Sequence, residues 1–163
     1  MEIICFHNPD EENGYLSNWY LSDFYVDNIM FSSMEQYMMY QKALLFKDDE
    51  IAKEILNEVD PKNIKALGRK IKNFNSVIWD QAKLKIVVDG NYYKFTQNED
   101  LKKQLLDTNY NVIVEASPLD KIWGIGIDSN DALSGEEWKG QNLLGIALMI
   151  VRDRIILENE GLD

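Results

Sequence analysis

Glu35 and Lys42 lie two helical turns apart in a stretch that opens with Ser33-Met34-Glu35-Gln36. At 100° per residue, Glu35, Met38, Met39 and Lys42 fall on one stripe, so a carboxylate and an ammonium share a face. About 10 Å of helix axis separates them, which is too far for an ion pair but leaves room for a ligand the size of a sugar. Two solvated surface charges with methionine core filler between them would give the same spacing. A second candidate is the run from Glu115-Ala116-Ser117-Pro118 through Asp120 and Trp123 to Gly124-Ile125-Gly126. There a predicted strand ends in a turn carrying two acids and an indole, a common place for reactive groups. A tight turn capped by Asp120 explains the same residues without chemistry. Trp19, Trp79, Trp123 and Trp138 can stack on a planar ring, at roughly 1–3 kcal/mol per stacked base, or simply pack a core. Arg69, after Leu67-Gly68, offers a planar fork to a phosphate or a partner to a surface acid.

Several other chemistries are excluded. One cysteine, Cys5, and one histidine, His7, leave no internal disulfide, thiolate zinc site or paired-histidine metal motif. Cys5 falls in a predicted N-terminal strand and reads as packing rather than as a nucleophile. No Gly-x-Ser-x-Gly elbow is present, and Gly124-Ile125-Gly126 lacks the third glycine of a dinucleotide fingerprint. Asp128, Asn130 and Asp131 suggest a calcium loop, but Leu133 stands where its glycine is required. Seventeen Lys and Arg against 28 Asp and Glu give a net charge of −11, which argues against stable non-specific binding to nucleic acid. Lys62, Lys65, Arg69, Lys70 and Lys72 form the densest basic group, either a strip beside a phosphate clamp or a solvated helix face. No signal peptide and no membrane-length apolar run is seen, so a cytoplasmic chain with no membrane partner is expected. Oligomeric state has no signature here.

The elements that must position these groups follow from pattern. Residues 2–6 read as a strand and 24–31 as a hairpin turning at Asp27-Asn28. Helices are predicted from Ser33 to near Phe46, over 49–58, from Pro61, over 76–94, over 98–107 and from Gly140 to Leu157. In the fourth of these, Val77, Trp79, Leu84, Val87 and Val88 are expected to face inward. Residues 113–116 read as a buried strand. With 163 residues and 45% hydrophobic content, the expectation is a single helix-rich α+β domain with a few short strands.

Together these segments resemble the NADAR family, also called YbiA-like. The resemblance is carried by Leu16-Ser17-Asn18-Trp19, Ser33-Met34-Glu35-Gln36-Tyr37 with Gln41-Lys42-Ala43, Leu67-Gly68-Arg69, Trp79, and Lys94-Phe95 with Gln97-Asn98. It continues in Glu115-Ala116-Ser117-Pro118-x-Asp120-x-x-Trp123-Gly124-Ile125-Gly126 and in Trp138-x-Gly140-x-Asn142-Leu143-Leu144-Gly145, as far as Arg152. About residues 4 to 154 are covered. Gln36 stands where many members carry histidine, a difference that bears on substrate choice more than on reaction type.

The resemblance implies a single compact α+β domain of YbiA-like fold and a cofactor-free, metal-free N-glycosidase. Family substrates include riboflavin-pathway intermediates, in which a pyrimidine amine is joined to ribose 5-phosphate, and ADP-ribose attached to guanine. Breaking such a bond passes through an oxocarbenium-like state that needs nearby negative charge and a proton for the departing nitrogen. Glu35 and Asp120 are assigned to these two tasks, in either order. If Glu35 packs against Met38, Met39 and an indole, desolvation favours its protonated, acid form. Lys42 either offsets phosphate charge or captures the ring-opened sugar aldehyde as a Schiff base. Arg69 is the candidate phosphate clamp, the four tryptophans are candidate walls, and Asn18 and Asn142 are candidate partners for ribose hydroxyls. The alternatives are a non-catalytic module that binds ADP-ribose or a nucleotide, and an acidic interaction protein.

Overall fold

The computed structural model describes residues 2–161. In chain order the elements are β1 (Ile3–Phe6), a single 3₁₀ turn (Gly14–Leu16), β2 (Phe24–Val26), β3 (Ile29–Phe31), α1 (Met34–Leu45) and α2 (Asp49–Leu56). There follow α3 (Pro61–Gly68), α4 (Ser76–Thr96), α5 (Glu99–Leu106), β4 (Val112–Glu115), α6 (Ser129–Leu133) and α7 (Leu143–Asn159). The expected α+β class is what is found. Contacts divide the chain into two units, one of Leu21–Gln97 and one of Met1–Tyr20 with Asn98–Asp163.

In the Leu21–Gln97 unit, β2 and β3 pair antiparallel with Phe24 opposite Phe31. Asp27 and Asn28 supply the turn at φ of +50° and +66°, the left-handed region that a two-residue hairpin loop requires. Gln97 closes the hairpin edge: its Oε1 accepts from Tyr25 N–H and its Nε2 donates to Tyr25 O, both at 2.8 Å. Helix α1 packs against α2, α3 and α4. Each of these helices starts on a side-chain cap: Ser33 accepts from Gln36 N–H, Asp48 from Ile51 N–H, Asp60 from Lys62 N–H and Asn75 from Val77 and Ile78 N–H. Asp60 is followed by Pro61 at the first helical position, where a missing N–H costs nothing. The expected inward face of α4 needs one correction. Val77 is 65% exposed because it sits in the first turn, and the buried stripe is Trp79, Lys83, Val87, Gly90, Asn91, Lys94 and Phe95.

In the other unit, β1 and β4 pair in parallel, Ile3 with Val112 through Phe6 with Glu115. Val114, Ala116, Ile125, Ile127 and Ala132 form a core against which Ile3, Cys5 and Val112 pack. Helix α7 lies on β4. It begins at Leu143 rather than at Gly140, because residues 140–142 act as a strap. Gly140 abuts the backbone of Gly124, Ile125 and Lys121, and Gly145 abuts the Ile113 carbonyl, so a Cβ at either position meets main chain. Farther along α7, Arg152 Nη1 donates to Thr108 Oγ1 (2.9 Å) and to Asn111 O (2.8 Å), tying the helix to the loop before β4. The rejected calcium loop is the start of α6, where Asp128 accepts from Asp131 N–H at 2.9 Å.

Candidate functional site

The stripe on α1 is not a solvated surface. Glu35 is only 5% exposed, Met38 and Met39 are buried beside it, and Lys42 is half-buried. Lys42 Nζ donates to Gly68 O at 3.2 Å and stands 4.8 Å from the Phe74 ring centre and 5.5 Å from that of Trp79. Burial lowers the pKa of this ammonium below the ordinary lysine value, and the charge of Glu35 acts in the opposite sense. Carboxylate and amine are therefore in electrostatic reach of one another, as their shared face requires.

Packing explains why the chain holds them there. Gly68 has no side chain, so the end of α3 sits directly against Met39 of α1, and its carbonyl meets Lys42. Arg69 follows as an exposed C-cap residue of α3. Trp79 is buried on α4. Within this unit the structure brings together Lys42, Trp79 and the Gly68-Arg69 corner, with Glu35 two turns along the same face.

Gln36 has a different task from the one its position suggested. Its Oε1 accepts from Ser32 N–H at 2.7 Å, and its Nε2 donates to Ile55 O at 3.0 Å and to Glu58 O at 2.9 Å. At 3% exposure it clamps the start of α1 to the end of α2. The difference from histidine thus falls on a packing joint rather than on a group open to a substrate.

The sequence reading missed the polar content of α4. Lys83 is buried with its Nζ 2.7 Å from Asp80, Asn91 donates to Val87 O at 2.9 Å, and Lys94 is fully buried. Burial pulls the Lys94 pKa down to about 7. The signal was present: 79, 83, 87, 91 and 94 follow a helical period on the tryptophan's own face.

In the other unit the predicted residues divide sharply. Asn142, expected to meet ribose hydroxyls, has its amide engaged with the main chain of β4. It is 2% exposed, donates through Nδ2 to Ile113 O (2.9 Å) and accepts through Oδ1 from Glu115 N–H (3.1 Å). Asp120 does cap its turn: Oδ1 accepts from Ile122 N–H (2.9 Å) and Trp123 N–H (2.8 Å). Its Oδ2 makes no hydrogen bond among the described residues. Asn18 is 7% exposed, and its Oδ1 is a buried acceptor with no hydrogen-bond partner among the described residues. Trp19 is half-buried, its backbone N–H donating to Ser17 Oγ at 3.1 Å; Trp123 is half-buried, and Trp138 is 38% exposed. Cys5 lines a groove of about 340 Å³ with His7, Glu11 and Ser129 that holds none of the predicted site residues. Burial raises the Cys5 thiol's pKa, which suits packing rather than attack. Among the described residues no group of three or more His, Cys, Asp or Glu is placed to hold a metal ion. No helix of the described residues is long and apolar enough to cross a membrane.

The model of the NADAR domain family matches residues 5–156. The chain belongs to the NADAR domain family. This NADAR domain is 44% identical over 162 residues to N-glycosidase R617 of Acanthamoeba polyphaga mimivirus, covering 93% of this chain and 95% of the relative. It is 30% identical to a riboflavin biosynthesis protein of Vibrio vulnificus, covering 93% of this chain and 38% of that longer protein. Among solved structures, Escherichia coli YbiA, determined by NMR, superposes with a TM-score of 0.82 at 26% identity, covering 99% of this chain and 89% of that one. That relative carries the name N-glycosidase YbiA. The likeness to YbiA confirms the α+β fold expected from the resemblance.

Proposed function

We propose that this NADAR-domain hydrolase cleaves the N-glycosidic bond between a ribose phosphate, or ADP-ribose, and an amine or nucleobase. The observation that carries the reading is the buried Glu35 on one helical face with a half-buried Lys42 and the Trp79 indole. Burying a carboxylate and an amine is costly, and functional sites are where such groups gather. As the bond between nitrogen and the anomeric carbon lengthens, positive charge grows on the sugar. A carboxylate stabilises that charge, and a carboxylic acid delivers the proton that the leaving nitrogen needs.

Glu35 and Asp120 are the candidates for these two tasks, in either order. Arg69 is exposed and suited to a phosphate oxygen. Trp79 serves as an apolar wall, and Trp19, Trp123, Trp138 and Asn18 are further substrate contacts. Lys42 either offsets phosphate charge or adds its neutral amine to the ring-opened sugar aldehyde, expelling water to give a Schiff base. Borohydride trapping separates these roles, since reduction leaves sugar covalently attached to Lys42 only in the second.

The names of the relatives support the reading: two are N-glycosidases and one is a riboflavin biosynthesis protein. The test is to incubate the protein with a pyrimidine amine joined to ribose 5-phosphate and, separately, with an oligonucleotide carrying ADP-ribosylated guanine. Mass spectrometry then follows the released amine or base. Release from either supports the proposal and selects the substrate. Tight ADP-ribose binding with no release from either overturns it in favour of a binding module.

A further inference from the structure

Phe74 is a large apolar side chain of which 48% is exposed. The loop that carries it is fixed at both ends. On one side Lys72 N–H donates to Asp48 Oδ2 at 2.9 Å, and Asp48 also caps α2. On the other side Asn75 caps α4 through two hydrogen bonds of 3.0 and 3.1 Å. Between them Ile71 is buried and Asn73 holds a left-handed backbone at φ +61°. Phe74 is thus presented by a built turn.

The ring's neighbours give it a direction. Phe46, itself buried, backs it at 5.4 Å between centroids with planes tilted by 59°. Lys42 Nζ lies 4.8 Å from the ring centre. The ring therefore touches the same ammonium that forms the candidate site, and half of its surface is left for another partner. Arg69, Lys70 and Lys72 are exposed just before it in the chain and make no ion pair among the described residues.

We propose that Phe74 is the stacking platform for the planar leaving group of the substrate, and so sets the preference for an aromatic heterocycle on the ribose phosphate. The inference rests on the N-glycosidase reading for the identity of its ligand. Its physics is general: an aromatic face held rigidly loses little entropy on stacking, and a cation against a ring draws electron density that an amino-rich heterocycle can supply. Exposed cations beside it suit the phosphate of the same molecule.

The test uses Phe74→Leu, which keeps apolar bulk over Lys42 and removes the π face, and Phe74→Trp, which restores one. Calorimetry measures binding of pseudouridine 5′-monophosphate, whose carbon-linked base is not a substrate for hydrolysis at nitrogen, against ribose 5-phosphate, which has no base. The unmodified protein is expected to prefer the nucleotide by roughly 5- to 150-fold. Phe74→Leu should erase that preference without weakening ribose 5-phosphate, and Phe74→Trp should keep it. A preference that survives in Phe74→Leu, a loss shared equally by both ligands, or no preference in the unmodified protein overturns the proposal. With a hydrolysed N-ribosyl substrate, Phe74→Leu should raise KM and leave the pH profile of kcat in place. A shifted profile instead means that the ring only shields Lys42, and also overturns it. The binding arm needs no turnover, so a base preference without hydrolysis supports the platform while rejecting the N-glycosidase reading.

Discussion

Asn142 holds its backbone at φ +54° while its amide donates to one residue of β4 and accepts from another. Replacing it with glycine keeps the left-handed backbone and removes both hydrogen bonds. A loss of about 1–3 kcal/mol is expected in urea unfolding, and alanine should cost more because it adds backbone strain. Unchanged stability in the glycine variant would show that the amide is not a pin. Asp120 allows a cleaner separation of structure from chemistry. Asp120→Asn retains an oxygen that accepts from Ile122 and Trp123, so its stability should stay within about 0.5 kcal/mol, whereas Asp120→Ala should lose about 1 kcal/mol. If Asp120 supplies the second charge, the asparagine variant nonetheless loses turnover. Full activity in Asp120→Asn would confine the residue to its turn. The side chains of 120 and 142 illustrate what sequence cannot decide, because an amide or carboxylate in a turn looks the same whether it holds backbone or ligand.

Helices were the most legible elements, since their ends carry local chemistry. Ser33 and Phe46 bound α1 as expected, Pro61 opens α3, and Asp27-Asn28 turn the hairpin. The grouping of Glu35, Met38, Met39 and Lys42 was legible for the same reason, as it needs only the 100° step. What was not legible is the burial of charge on α4. A lysine on a helix is read as solvent-facing, so although the helical period places Lys83 and Lys94 on the face of Trp79, their burial is decided by tertiary packing. That burial has a consequence for pH. Lys94 titrates near 7 when folded and at an ordinary lysine pKa of 10.5 when unfolded. Between those values the unfolded chain holds a proton that the folded chain has released, so raising the pH favours folding. The contribution reaches at most ~1.4 kcal/mol per pH unit. Comparing urea midpoints of the native sequence and Lys94→Met from pH 7 to 9.5 should show a steeper rise in the native sequence. Parallel curves would place the Lys94 proton outside this window.

At the scale of the molecule, a charge of −11 coexists with a cationic group at Lys62, Lys65, Arg69, Lys70 and Lys72, all exposed and none in an ion pair among the described residues. Ile64 and Gly68 are the buried side of α3, which puts Lys62, Lys65 and Arg69 on its outward face. Long-range repulsion should outweigh so small a strip for unmodified duplex. Fluorescence anisotropy with random-sequence DNA is expected to show binding weaker than ~10⁻⁴ M at about 0.15 M salt. Micromolar affinity with a steep salt dependence would contradict this. The central claim is that a buried carboxylate on α1 drives loss of a base from a ribose. It is tested most directly by the rate at which Glu35→Gln releases amine or base from whichever substrate the unmodified protein hydrolyses, with thermal unfolding measured on the same samples. A fall in kcat of roughly 10²–10⁴-fold, with a melting temperature within a few degrees, is the predicted result. Near-normal turnover by the folded variant would contradict the account.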